Sequence, residues 1–210
     1  MSKFLALITK KKYWYVHSFF IKIILRLFYG IKVGKKFYIE GIPLLKINGK
    51  GDNIQIGNNV SIMGDVDLRN RENGKIIIGN NVKIDNYCRL VAANDAVLKI
   101  GNNTNIGAFT IINCGTDVTI GDKCMISGLI QIQSSDHGIA KGTPIREQKH
   151  TYEKINIGND VWLAANCTIL KGVTLEDGCI VGAKSLVRQG HYQKNSILAG
   201  IPAKKVKERI

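Results

Sequence analysis

An aliphatic residue at every sixth position limits what this chain can fold into more than any other feature. From Ile157 the series runs Ile157, Leu163, Ile169, Leu175, Val181 and Val187 without a break. Earlier stretches repeat it in shorter runs, at Ile56 and Ile62, at Ile78, Ile84 and Leu90, at Ile100, Ile106 and Ile112, and at Ile120, Ile126 and Ile132. A period of six matches neither the 3.6 residues of an α-helix nor the two-residue alternation of an ordinary strand. It fits a triangular coil of three short strands, stacked so that each aliphatic rests on its counterpart in the coil below. The 22 glycines against 3 prolines supply many tight turns without a collagen-like or proline-rich segment.

The same register accounts for most of the cysteines. Cys88, Cys124, Cys167 and Cys179 each lie four residues after an aliphatic corner, in a slot filled elsewhere by Val60, Val82, Thr104, Thr110, Val161, Val173 and Ser185. The slot takes a small or β-branched residue, and a free cysteine packs as a small hydrophobe. Cys114 falls outside the slot, so its exposure and role stay open. The formal net charge of +14 is concentrated at the ends. Residues 1–50 hold eleven Lys or Arg against the single acid Glu40, and the tail from Lys204 holds four against one. The body between is nearly neutral and lacks the basic face of a nucleic-acid binder, so no nucleic acid is expected.

The repeat resembles that of the hexapeptide-repeat acyltransferases over most of residues 50–207. The likeness is strongest in INIGNDVWLAANCTILKGVTLEDGCIVGAKSLV followed by SILAGIPAKKV. It implies a left-handed parallel β-helix, a homotrimer with sites between neighbouring subunits, and acetyl-CoA as co-substrate. The expected organisation is a basic helical segment over 1–36, the β-helix over 37–200, and a short basic helix over 201–210.

The period is interrupted between Ile132 and Ile157, and the intervening SSDHGIAKGTPIREQKHTYEK reads as a loop protruding near 134–155. In related sugar O-acetyltransferases a histidine at the place of His137 is the general base. A neutral imidazole suits that task, because an acceptor hydroxyl must lose its proton as it attacks a thioester. Asp136, Glu147 and Glu153 each remain candidates to orient the ring. His150 reads as a solvated loop residue. No metal is expected, because the separations 137 to 150 and 150 to 191 lack the short paired spacing of zinc sites.

By motif position the resemblance places Trp162, Ala165 and Ala183 along the pantetheine arm of the donor. It places Arg188 nearby, where the family often has threonine, and Lys204 and Lys207 at the nucleotide phosphates. Asn113 and Arg146 are acceptor candidates by location. Related maltose and galactoside enzymes carry an asparagine where this chain has Gly107, in Ile106-Gly107-Ala108-Phe109. That departure points to the branch that modifies surface polysaccharides such as capsule or O-antigen. The implied activity is sugar O-acetylation. N-acetylation of an amino sugar or amino acid, and a non-catalytic β-helix scaffold, are the alternatives.

Residues 13–30, YWYVHSFFIKIILRLFYG, read as an amphipathic helix. Ser18, Lys22 and Arg26 are spaced by four and line one face, with Trp14, Phe19, Phe20, Ile23, Ile24, Leu27 and Phe28 on the rest. Two charges in a run of this length argue against a spanning helix. The helix is expected either to lie in a membrane interface, aided by Lys10-Lys11-Lys12, or to pack on the first coil or a neighbouring subunit. No small-residue cleavage site follows the run, so the expected location is the cytoplasm or the inner face of its membrane.

Overall fold

A computed structural model describes residues 2–210, with side chains from residue 12 onward. One helix, α1 (Ser2–Leu27), precedes a parallel β-solenoid of very short strands. Successive strands turn from a first face to a second and a third, giving sheets of eight, nine and seven strands, parallel throughout except for the last strand of the second. The first face stacks Val33, Ile56, Ile78, Ile100, Ile120, Ile157, Leu175 and Tyr192 in one register column. Ile39, Ile62, Ile84, Ile106, Ile126, Leu163, Val181 and Leu198 form the second column. The third runs Leu45, Leu68, Leu90, Ile112, Ile132, Ile169 and Val187. These columns face inward and form one continuous core, which is what the six-residue period requires.

Corners hold the stack together with side chains the aliphatic period does not reveal. Along one edge Asn58, Asn80, Asn102, Asp122, Asn159 and Asp177 each accept, through Oδ1, the backbone N–H of the equivalent residue one coil earlier, at 2.7–2.8 Å. The neighbouring positions Asn59, Asn81, Asn103 and Asp160 have φ of 53–56°, a left-handed conformation that Asn and Asp tolerate better than most residues. The small-residue slot is also chemically defined. Its thiols and hydroxyls point at the next coil's carbonyls, as in Cys124 Sγ to Gly158 O at 3.1 Å and Thr104 Oγ1 to Gly121 O at 2.9 Å.

Two expectations need correction, and two open points are decided. Residues 201–210 form no helix; Ala203–Glu208 is a strand that folds back antiparallel on Ser196–Gly200. The last coil otherwise leaves a row of unpaired backbone groups, and the tail covers it. The N-terminal helix stops at Leu27 rather than 36. Gly30, at φ +69°, takes the left-handed turn that ends it, and Lys32–Val33 already pairs with the next coil. Cys114 is buried, because Ile111–Cys114 is an extended strand whose alternate residues Ile112 and Cys114 both face inward. Ser18 and Lys22 are turned towards the protein. Ser18 Oγ accepts the Ile39 N–H at 2.8 Å and Lys22 Nζ donates to the Gly34 carbonyl, so this stripe lies against the first coil.

Candidate active site

The interruption at residue 134 is a two-stranded arm rather than an irregular loop. Ser135–His137 pairs antiparallel with His150–Tyr152, and the arm leaves the solenoid at the corner joining the third face to the first. Its foot is fixed from several sides. Buried Ser134 Oγ accepts the N–H groups of Gly115 (3.0 Å) and Thr116 (3.1 Å), satisfying backbone groups of the previous coil where the chain departs. Lys171 reaches Asp136 at 3.4 Å, and Lys154 reaches Asp117 at 2.8 Å. The Lys154 ammonium beside it holds the Asp117 carboxyl below its usual range. The Tyr152 ring packs close against Gly115, whose missing side chain makes the room; a Cβ there would sit 2.9 Å from the ring. Beyond the strands Gln148 ties the tip, accepting from Ala140 N and donating to the Ala140 and Thr143 carbonyls.

This pairing sets His137 directly across from His150, with ring centroids 4.1 Å apart and planes at 43°. His150 is therefore a structural neighbour of His137 rather than a free loop residue, a contact that only the register of the arm creates. Asp136 is engaged with Lys171. Among the described residues no carboxylate hydrogen-bonds the His137 ring, and no three metal-ligating side chains come together.

Between the arm and the third face lies a recess of about 300 Å³. Its walls include Arg69, Arg71, Arg89, Asn113, Gln133 and His150. The three arginines were not singled out by the sequence reading, and nothing in the linear order sets them apart. Arg89 stands in register beside Asp67 on the neighbouring strand, Arg69 lies two residues after Asp67, and Arg71 follows two residues later at the strand's end. Asp67 is gripped by both Arg69, through two bonds of 2.7 and 2.6 Å, and Arg89 at 3.0 Å. Burial pushes its carboxyl up, but the two guanidinium groups pull it further down, below the ordinary range. Arg69, Arg71 and Arg89 against Asp67 and the wall's Glu72 leave one positive charge in surplus, with Asn113 and Gln133 as neutral partners. Arg146, the other acceptor candidate, sits exposed at the arm's tip, outside the recess.

The donor candidates gather elsewhere. Trp162 projects from the second face, with Nε1 donating to Ser127 Oγ at 3.2 Å. Ala165 and Ala183 occupy the following corner in consecutive coils, joined by Lys184 N to Ala165 O at 3.0 Å. The tail strand pairs Lys204 with Ala199 and Lys207 with Ile197, so Lys204 lies towards that corner and Lys207 continues the register of Trp162 and Ile180. Arg188 does not join them. It follows the third face, on the edge from which the arm departs, and its carbonyl accepts the Tyr192 hydroxyl at 3.0 Å. Trp162, Ala165 and Ala183 thus share one corner of the triangle, and His137 and the recess share the next.

Known proteins carry both the repeat and the fold. Residues 154–189 match the family described as bacterial transferase hexapeptide (six repeats), and residues 97–128 match the hexapeptide repeat of succinyl-transferase. A probable acetyltransferase of Mycobacterium tuberculosis is 34% identical over 50% of this chain and 35% of its own length. The putative lipopolysaccharide biosynthesis O-acetyl transferase WbbJ of Escherichia coli K12 is 36% identical over 43% of this chain and 50% of its own. The chain therefore spans a third to a half of the length of these relatives. Among solved structures the polysialic acid O-acetyltransferase OatWY matches with a TM-score of 0.55 and 26% identity, over 84% of this chain and 87% of that one. Two short repeat matches, the fold and these relatives make the chain similar to the hexapeptide-repeat acyltransferases.

Proposed function

We propose that the protein moves an acetyl group from acetyl-CoA to a hydroxyl of a sugar unit in a surface polysaccharide, with His137 as general base. The observation that carries this reading is the His137–His150 pair at the mouth of a polar, arginine-walled recess, on a scaffold shared with acetyltransferases. The acceptor oxygen attacks the thioester carbonyl carbon while the His137 ring takes the hydroxyl proton. The tetrahedral intermediate collapses, the carbon–sulfur bond breaks, and the imidazolium returns its proton to the departing thiolate. His150 acts as a positioning residue, holding the His137 ring across the arm. Trp162, Ala165 and Ala183 line the donor's pantetheine, and Lys204 and Lys207 meet its phosphates.

The surplus guanidinium charge favours an acceptor bearing a carboxylate or phosphate, which Arg71 and Arg89 can bind through two parallel bonds. Because the donor corner and the His137 corner are different edges of one solenoid, a complete site takes its donor wall from one copy and its base from another. A homotrimer provides that arrangement. Dependence on acetyl-CoA puts the work in the cytoplasm.

Acceptor profiling tests the reading. Acidic and neutral oligosaccharides are offered with radiolabelled acetyl-CoA, and the product is treated with mild alkali. Label that transfers preferentially to acidic sugars and is released by alkali is expected. Alkali-stable label would mean an amide and an amine acceptor, overturning the O-transfer reading.

A further inference from the structure

Helix α1 packs inside out. Its inward stripe, at Trp14, His17, Ser18, Ile21, Lys22 and Leu25, is half polar, and the polar members close the end of the solenoid. His17 Nε2 bonds the Gly41 carbonyl at 3.0 Å, Ser18 pairs with the Ile39 N–H, and Lys22 donates to Gly34. These bonds satisfy backbone groups of the first coil that no preceding strand can reach. The stripe turned to solvent is apolar instead. Phe19 and Phe20 are about 60% exposed, at 61% and 58%, Leu27 is 76% exposed, and Val16 lies among them. At 100° per residue Val16, Phe20 and Leu27 fall opposite Ser18, Ile21 and Leu25. Beyond the helix end Phe28 extends the same surface at 80% exposure.

A helix that uses its polar residues on the protein and leaves aromatic rings outside has an apolar surrounding. The charges at its border say which. Lys12, Arg26, Lys32, Lys35 and Lys36 are all exposed, and no acid occurs in the chain before Glu40. A second copy of this face would bring like charge against like charge. An anionic membrane surface supplies both the hydrocarbon boundary for the rings and opposite charge for the rim. No described helix is long and apolar enough to cross a membrane.

We infer that α1 is a membrane-interface anchor that lays its Val16–Phe20–Leu27 face into an anionic lipid surface while its opposite face seals the solenoid. This anchor is independent of the chemistry proposed above.

Vesicle co-sedimentation of the full chain tests it, with phosphatidylcholine alone and with phosphatidylcholine containing a third phosphatidylglycerol. Binding to the anionic vesicles at least tenfold stronger than to the neutral ones, and weakened by 0.5 M salt, is expected. The double variant Phe19→Ser/Phe20→Ser changes only exposed rings; it should keep the wild-type melting curve and lose at least tenfold of the binding. Its thiol release with a soluble acceptor should be unchanged, which separates this inference from the catalytic one. Wild type remaining in the supernatant with both vesicles overturns the anchor. So does a double variant that binds as wild type, or one that instead changes oligomeric mass, which would make a second copy the occupant.

Discussion

Individual side chains in the solenoid are held by the coil above as much as by their own. Cysteine shows this best. All five thiols are buried, and burial pushes Cys88 up to about 11 and Cys114 up to about 12. A thiolate-directed reagent at pH 8 should therefore label the native protein over hours and all five positions within minutes after denaturation; fast labelling of any one native thiol contradicts the packing. Asp67 gives a pH signature. Its folded value is depressed, so its stabilisation is complete above the unfolded carboxylate range and disappears as pH falls through the lowered folded value. Asp67→Asn should cost about 1–3 kcal/mol at neutral pH. The gap to wild type should close on acidification, as chemical denaturation at several pH values would show. The aliphatic columns were legible residue by residue because burial repeats strictly with the period. The corner ladder also recurs in the sequence, as Ile-Gly-Asn-Asn at 56–59, 78–81 and 100–103, but its bonds run between coils and show only in the fold; the Asp67 clamp was not legible, since Arg89 lies 22 residues away.

At the scale of elements, the arm is where reading and structure part. Its strands SDH and HTY carry no apolar alternation, because both faces of the arm are solvated and it is pinned at its foot by Ser134, Lys154 and Lys171. A polar two-stranded ribbon is indistinguishable from a loop by hydrophobic pattern. The tail strand AKKVKE misled for a related reason, its strand state being set by the unpaired edge beside it rather than by its own composition. Gly115→Ala should displace the Tyr152 ring and tilt the arm. We expect transfer to fall roughly tenfold with little change in melting temperature, since such misplacement of a catalytic group weakens catalysis more than folding. His150→Ala should lower kcat less than His137→Ala and shift the pH profile, as a positioning role requires; equal losses would make the two rings interchangeable.

For the molecule as a whole, the architecture was readable from the sequence and the assembly was not, because a period describes how coils stack within a chain and says nothing about how chains meet. The separation of the donor corner from the His137 corner makes a specific demand on assembly. Neither His137→Ala nor Trp162→Ala should be active alone. Oligomers re-formed from an equal mixture should recover about a quarter of wild-type activity, because a quarter of the shared sites would combine an intact base with an intact donor wall. Absence of any recovery would place the whole site within one chain.

The most direct test of the account is release of free thiol from acetyl-CoA in the presence of an acidic oligosaccharide, measured for wild type and His137→Ala side by side. Acceptor-dependent release that falls by about a hundredfold or more in the variant is the predicted result for loss of a general base. Wild-type release that survives the substitution intact would remove His137 from the chemistry and contradict the mechanism derived for this site.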